Sequence, residues 1–140
     1  MNAAVRPSGM ATEHLTVAID RPVDAVYAYA SDPTHLSEWA AGLASAPLKP
    51  DGDSWVSDSP MGQITIDFAS PNPYGVLDHI VTMPSGETVY NPMRVIADGD
   101  RSEVVFTVRQ RAGMTDSEFA TDIAAVRADL ETLRDRLETS

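Results

Sequence analysis

The stretch Thr115–Glu138, TDSEFATDIAAVRADLETLRDRLE, decides the fold because it is the one long amphipathic helix that the sequence predicts. Its large apolar residues recur at spacings of four and three, which places them on one face of a helix. They are Phe119, Ile123, Val126, Leu130, Leu133 and Leu137. Thr115 and Glu118 form a Thr-x-x-Glu capping box at the N-terminus. Such a helix spans roughly 36 Å and needs a large apolar surface to pack against.

Segments of alternating polar and apolar residues can supply that surface as β-strands. They are His14–Asp20, Ala44–Lys49, Ser54–Asp58, Gln63–Ala69, Val76–Met83, Thr88–Ala97 and Ser102–Arg111. Short turns such as Pro84-Ser85-Gly86 separate the later segments, which predicts an antiparallel meander. Two short helices, starting at Pro22 and at Asp32-Pro33, lie between the first and second strands. We therefore predict an α+β fold in which a curved, seven-stranded antiparallel sheet grips the C-terminal helix.

Length and charge limit the possible domain organisation and partners. A chain of 140 residues corresponds to about one domain. We expect residues 1–12 to form a disordered tail and residues 13–140 a single domain. The net charge of −11 disfavours nucleic acid and anionic membrane surfaces. No segment has the apolar length of a membrane span or the pattern of a signal peptide, so we expect a cytoplasmic monomer or homodimer without membrane insertion.

Motifs for cofactor and metal chemistry are missing from the sequence. The chain has no cysteine, and it lacks a Gly-rich phosphate loop, a Gly-x-Ser-x-Gly elbow and a His-Glu-x-x-His pair. The histidines, His14, His35 and His79, are far apart on different predicted elements. We therefore expect no cofactor and no metal site.

Several segments resemble a known superfamily. The opening Val17-Ala18-Ile19-Asp20-Arg21-Pro22 leads from a strand into an apolar-acidic helix start, and Ser31-Asp32-Pro33 precedes Leu36-Ser37-Glu38-Trp39. With the final strand and closing helix, this order resembles the SRPBCC superfamily, which includes START domains, polyketide cyclases and birch-pollen allergens. The resemblance covers the chain from about residue 13. It implies a helix-grip fold with a cavity between the sheet and the long helix that holds an apolar or amphipathic small molecule.

Strand alternation places two polar residues on otherwise apolar inner faces. His79 shares a face with Leu77 and Val81, and Asn91 shares one with Val89 and Met93. If the hairpin is symmetric about Ser85, His79 lies opposite Asn91. Buried polar groups need hydrogen-bond partners, so this pair is either the polar anchor of a ligand pocket or a self-satisfied core pair.

The other candidate ligand contacts are apolar. Trp39 on the second short helix is a wall, a lid or a core residue. Met83 and Met93 could line the pocket or simply fill the core, since methionine adapts to irregular shapes. Phe106 points inward from the last strand. By analogy with the fold, Phe119 and Ile123 are the helix residues nearest a ligand, whereas Leu133 and Leu137 pack in the core.

Three functions fit this prediction. The first is a carrier or sensor that binds a small hydrophobic ligand, because an apolar pocket with a few polar groups suffices for it. The second is a polyketide cyclase/dehydrase-type enzyme in which His79 is the general acid/base and Asn91 orients a carbonyl. The third is a protein-interaction module like the chaperone activators of the superfamily, which would need an exposed apolar patch.

Overall fold

Eight strands and one long helix dominate the computed structural model, which describes residues 11–41, 43, 44, 46–60 and 62–139. In these residues the strands are β1 (Thr12–Ile19), β2 (Lys49–Asp51), β3 (Ser54–Ser59), β4 (Gly62–Phe68), β5 (His79–Thr82), β6 (Thr88–Asn91), β7 (Met93–Asp98) and β8 (Arg101–Arg109). The helices are α1 (Val23–Ala30), α2 (Leu36–Trp39) and α3 (Asp116–Thr139), with a 3₁₀ turn at Pro33–His35.

The strands form two antiparallel sheets, ordered β1-β8-β7 and β2-β3-β4-β5-β6. The predicted α+β helix-grip architecture is confirmed, but the single seven-stranded sheet is corrected to eight strands in two sheets. Pro92 is the cause, because it divides the predicted strand Thr88–Ala97 into β6 and β7. Proline has no N–H to donate to a strand ladder. Its carbonyl still accepts a hydrogen bond from the Thr107 N–H of β8 at 3.0 Å, at the place where the two sheets meet.

Two predicted strands have other limits in the structure. The segment Ala44–Lys49 was expected to be extended, but β2 begins only at Lys49. The Ala44 N–H still bonds to the Ala40 carbonyl at 2.9 Å, and the Ala46 carbonyl accepts from the Ser57 hydroxyl at 2.7 Å. These bonds tie Ala44 to the end of α2 and Ala46 to β3 in place of strand pairing. Likewise β5 begins at His79 rather than Val76, because Leu77 donates its N–H to the Met93 carbonyl of β7 at 2.9 Å.

The boundary between the predicted N-terminal tail and the domain also differs in the structure. Residues 1–10 of the predicted tail lie outside the described residues, but Ala11 and Thr12 do not behave as a tail. Thr12 begins β1, and the Ala11 carbonyl accepts from the Gln110 N–H at 2.8 Å. The predicted end of the second short helix near Gly42 also lies outside the described residues, and α2 ends at Trp39.

Helix α3 is anchored at both ends. The predicted capping box is confirmed, since Glu118 N–H donates to Thr115 Oγ1 at 3.1 Å and Thr115 N–H donates to Glu118 Oε1 at 2.9 Å. At the other end the Arg21 guanidinium donates to the Leu137 carbonyl at 2.8 Å. The helix packs mainly on β1, with further contacts to α2 and β8. Among the described residues, no helix is long and apolar enough to cross a membrane.

The two halves of α3 are buried to different extents. Leu130, Leu133 and Leu137 are 2%, 0% and 3% exposed, so the C-terminal half belongs to the core. Ile123 and Val126 in the N-terminal half are only partly buried. The less buried half lies over the candidate site.

Candidate ligand-binding site

A cavity of about 170 Å³ lies between the N-terminal half of α3, helix α2 and strands β5, β6 and β8. Its apolar walls are Leu36, Trp39, Ala40, Leu43, Val81, Met83, Val89, Phe106, Ala125, Val126 and Leu130. Its polar lining residues are His79, Asn91, Arg111, Asp122 and Asp129. An engineered apolar cavity of about 150 Å³ binds benzene, so this volume suits a molecule with one ring.

A second cleft adjoins this cavity and opens between β6, β8 and α3. It has a volume of about 220 Å³ and shares Val89, Asn91, Phe106, Arg111, Asp122 and Val126 with the first. A ligand longer than one ring could extend from the cavity into this cleft.

The hairpin β5–β6 brings the two predicted polar residues together. Strands β5 and β6 pair with His79 opposite Asn91 and Thr82 opposite Thr88, a register that is symmetric about Ser85 as predicted. The turn is closed by a 2.9 Å bond from the Gly86 N–H to the Met83 carbonyl. Gly86 has a φ of 93°, which glycine adopts without strain. The short turn therefore fixes the register that places both side chains at the cavity.

The His79 ring is held in one orientation. Its Nδ1 lies 3.1 Å from the Leu77 carbonyl, and because a carbonyl can only accept, Nδ1 carries the proton. The rings of Phe68 and Phe106 pack on either side, with centroids 6.0 Å and 5.7 Å away. Burial lowers the pKa of His79 below its ordinary value of 6.5, so the imidazole is neutral at pH 7. Its Nε2 is therefore a hydrogen-bond acceptor, and no described residue donates to it.

Two further polar groups in the wall lack partners. Trp39 is 4% exposed, and its indole N–H is buried without an acceptor among the residues that the structure describes. Within the same residues the Asn91 side-chain amide makes no hydrogen bond. A buried donor without a partner costs about 1–3 kcal/mol. The Trp39 indole nitrogen has almost no accessible surface and is therefore closed off from the cavity. The wall offers a ligand the His79 Nε2 acceptor and the Asn91 amide.

Charged residues surround the mouth. Arg111 lies between the β5–β6 turn and α3, with Nε 3.7 Å from Glu87 Oε2 and Nη1 3.9 Å from Asp122 Oδ2. Burial raises the pKa of Asp122, while Arg111 acts in the opposite direction. Because Arg111 faces two carboxylates and Asp129 adds a third, the mouth is acidic.

Most of the predicted site residues meet at this cavity. His79, Asn91, Trp39, Met83 and Phe106 all line it. Met93 does not, and instead lines a space of about 20 Å³ on the other side of Trp39 and His79.

Phe119 and Ile123 do not line this cavity. Phe119 lies in the core and Ile123 packs against it, whereas the next two residues of the apolar stripe, Val126 and Leu130, border the cavity. The helix residues that line the cavity are Asp122, Ala125, Val126, Asp129 and Leu130.

Several residues that line the cavity are not predicted by the sequence patterns. Arg111, Asp122 and Asp129 were missed because charged residues on a helix or at a strand end ordinarily face solvent. Leu36, Ala40, Leu43, Val81, Val89 and Ala125 carry no signal that separates a cavity wall from a filled core. Arg111 alone is marked in the sequence as a residue near the site, because it lies in the short link between the last strand and the long helix.

Comparison with known proteins agrees with this geometry. Residues 10–139 match the family described as polyketide cyclase / dehydrase and lipid transport. The chain belongs to this family. The predicted resemblance to the SRPBCC superfamily is thereby confirmed. A search of curated protein sequences finds no match.

Solved structures share the fold at low identity. The structure is similar to DynU16, a protein of the dynemicin biosynthetic locus, with a TM-score of 0.71 and 22% identity, covering 95% of this chain and 48% of that one. The chain therefore spans about half the length of that protein. It is also similar to the Zhui aromatase/cyclase from Streptomyces sp. R1128 (TM-score 0.66, 17% identity, covering 92% and 94%). The Aha1 dimer from Colwellia psychrerythraea has a TM-score of 0.70 at 16% identity, covering 92% and 97%.

Proposed function

We propose that this protein is a carrier or sensor that binds a small, largely apolar molecule in the cavity beside α3. The observation that carries the proposal is a mostly apolar cavity whose wall contains polar groups without partners in the described chain, namely His79 Nε2 and the Asn91 amide. A filled core would be expected to pair such groups. Family membership supports the proposal, since the family description includes lipid transport.

The proposal is tested by filling the cavity. Val126→Phe places a larger apolar side chain in the wall, and Val105→Phe makes the same change on the opposite face of β8. Toluene should stabilise the wild-type protein against thermal unfolding, by about 2.7 kcal/mol at a concentration of 100 Kd. We expect Val126→Phe to lose at least about 10-fold in toluene affinity, equivalent to about 1.4 kcal/mol, while Val105→Phe keeps it.

Equal toluene affinities in the two variants would contradict a site at this cavity. Absence of any toluene binding to the wild-type protein would contradict the proposed function itself. Native mass spectrometry of the purified protein adds an independent measurement, because a bound apolar compound should appear in the wild type and be absent from Val126→Phe.

A second candidate function is catalysis of the cyclase/dehydrase type. The observation that favours it is the fixed His79 tautomer. Its Nδ1–H is bound to the Leu77 carbonyl, which leaves Nε2 without a proton and able to act as a general base. A lowered pKa keeps this base unprotonated at pH 7. The Asn91 amide could then donate a hydrogen bond to a substrate carbonyl.

Turnover of a poly-β-keto substrate separates the two candidates. If the protein is an enzyme of this kind, His79→Gln should lower kcat by about 10²–10⁴-fold, the usual contribution of general acid/base catalysis. The toluene affinity of the same variant should change little, which shows that the cavity is intact. No turnover by the wild type, or equal turnover by His79→Gln, would reject catalysis by His79.

The protein-interaction function has no comparable support. Among the described residues the exposed large apolar side chains are Tyr74, Ile80, Tyr90 and Ile96. Ile80 and Tyr90 are cross-strand partners, but the Tyr90 hydroxyl is bonded to Asp78. The likeness to the Aha1 dimer concerns the fold alone.

A further inference from the structure

The polar groups in the cavity wall also restrict the chemistry of the ligand, an inference that rests on the proposed binding function. We propose that the cavity selects neutral, single-ring molecules that carry a hydroxyl group, with His79 Nε2 accepting from that hydroxyl and the Asn91 amide donating to it. Three features of the structure support this: the volume, the hydrogen-bonding pattern of the wall and the charges at the mouth.

The volume limits the part of the ligand that can be enclosed. A cavity of about 170 Å³ is close in size to one that encloses benzene. Phe106, Val81 and Leu130 contribute apolar contacts to a ring in this space. A second ring would have to lie in the adjoining cleft at the mouth.

The hydrogen-bonding pattern requires a group that both donates and accepts. Because His79 Nδ1–H is bound to the Leu77 carbonyl, the remaining ring nitrogen can only accept in the neutral imidazole. The Asn91 amide can donate through its NH₂ group. A carbonyl group would satisfy this donor but not His79, whereas a hydroxyl group can accept from Asn91 and donate to His79.

The charges disfavour anions. The imidazole is neutral because burial lowers its pKa, so among the described lining residues Arg111 at the mouth is the one cation that could pair with a carboxylate. Arg111 at the mouth is already within 4 Å of Glu87 and of Asp122. A buried charge without a partner is costly. Carboxylate and phosphate ligands should therefore bind weakly.

Phenol and toluene form the first matched pair of probes, because they differ only by a hydroxyl in place of a methyl group. In a purely apolar cavity toluene should bind more tightly, since an unpaired buried hydroxyl is costly. We expect isothermal titration of the wild-type protein to give phenol an advantage of about 3- to 10-fold, the usual net effect of one hydrogen bond. Benzamide and benzoate form the second pair, and we expect benzoate to bind at least about 10-fold more weakly.

Two variants assign the preference to His79. His79→Phe retains a ring between Phe68 and Phe106 but removes the acceptor, so the preference for phenol should disappear while toluene still binds. His14→Phe makes the same substitution at an exposed side chain of β1 and should leave the preference for phenol unchanged. If His79→Phe does not fold, ¹⁵N NMR of the wild-type imidazole replaces it. Phenol should then shift the Nε2 resonance, and toluene should leave it in place.

The possible outcomes are distinct. Equal affinities of wild type for phenol and toluene, or benzoate binding as tightly as benzamide, would overturn the selectivity but leave the binding function intact. A phenol preference that persists in His79→Phe, or an Nε2 resonance that phenol does not shift, would overturn the role of His79. Failure of all four probes to bind would overturn the proposed function together with this inference.

Discussion

At the scale of single residues, His79 connects the fold to the function. Its place opposite Asn91 follows from the alternation of the strands and the short turn at Gly86. Burial between two phenylalanine rings keeps its ring neutral, and the Leu77 carbonyl selects the tautomer. The same burial that suits it for ligand binding makes it sensitive to pH.

The pH dependence of stability should reveal this burial. The folded-state pKa of His79 lies below 6.5, so the unfolded chain takes up a proton first as the pH falls. Between about pH 6.5 and pH 5 the free energy of unfolding should therefore decrease, by at most about 1.4 kcal/mol per pH unit. About one pH unit or more above 6.5 the histidine is neutral in both states and contributes almost no slope.

Urea unfolding at several pH values measures this effect, with His79→Phe and His14→Phe as the variants. The slope between pH 5 and pH 6.5 should be smaller in His79→Phe and unchanged in His14→Phe. An identical slope in the wild type and His79→Phe would show that His79 is not buried neutral.

At the scale of elements, α3 combines structural and ligand-facing roles in one helix. Its C-terminal half is buried against β1, whereas its N-terminal half lies over the cavity and is partly exposed. Leu133 and Val126 represent the two halves. Shortening each side chain should thus have different consequences.

Leu133→Ala should destabilise the protein strongly, because Leu133 is 0% exposed. Removing a leucine from a packed core costs about 2–5 kcal/mol. Val126→Ala should cost about 1 kcal/mol or less, since the side chain is only partly buried and borders a space that already exists. Urea unfolding at pH 7 measures both. Similar costs for the two variants would contradict the division of the helix.

The same elements show what can be predicted from sequence. The existence of α3, its capping box and the pairing of His79 with Asn91 depend on local periodicity and turn chemistry, which the sequence displays. The split at Pro92 was not predicted, because a proline within an alternating run is compatible with a bulge, an edge strand or a break. The residues of α3 that border the cavity are also not predictable, because the part of the helix that faces it depends on how α3 packs on β1. Hence Asp122 and Asp129 line the cavity in place of Phe119 and Ile123.

At the scale of the whole molecule, the cavity follows from the division into two sheets. Strands β5 and β6 belong to one sheet and β8 to the other, and α3 packs mainly on the sheet that contains β1. The space is therefore bordered by both sheets and by the less buried half of the helix. The excess of acidic residues, which gives a net charge of −11, continues at the mouth and disfavours anionic ligands.

The chain contains an internal control for ligand binding, because it has two tryptophans. Trp39 lies in the cavity wall, whereas Trp55 lies on β3 and pairs with Ile66 of β4. The two indole N–H groups should give separate signals in a ¹H–¹⁵N NMR spectrum. Titration with phenol thus reports on the cavity and on a remote site in one sample. We expect the Trp39 indole signal to shift until it saturates while the Trp55 signal stays in place. If saturating phenol leaves the Trp39 signal unmoved, or shifts both signals equally, then the cavity beside α3 is not the binding site.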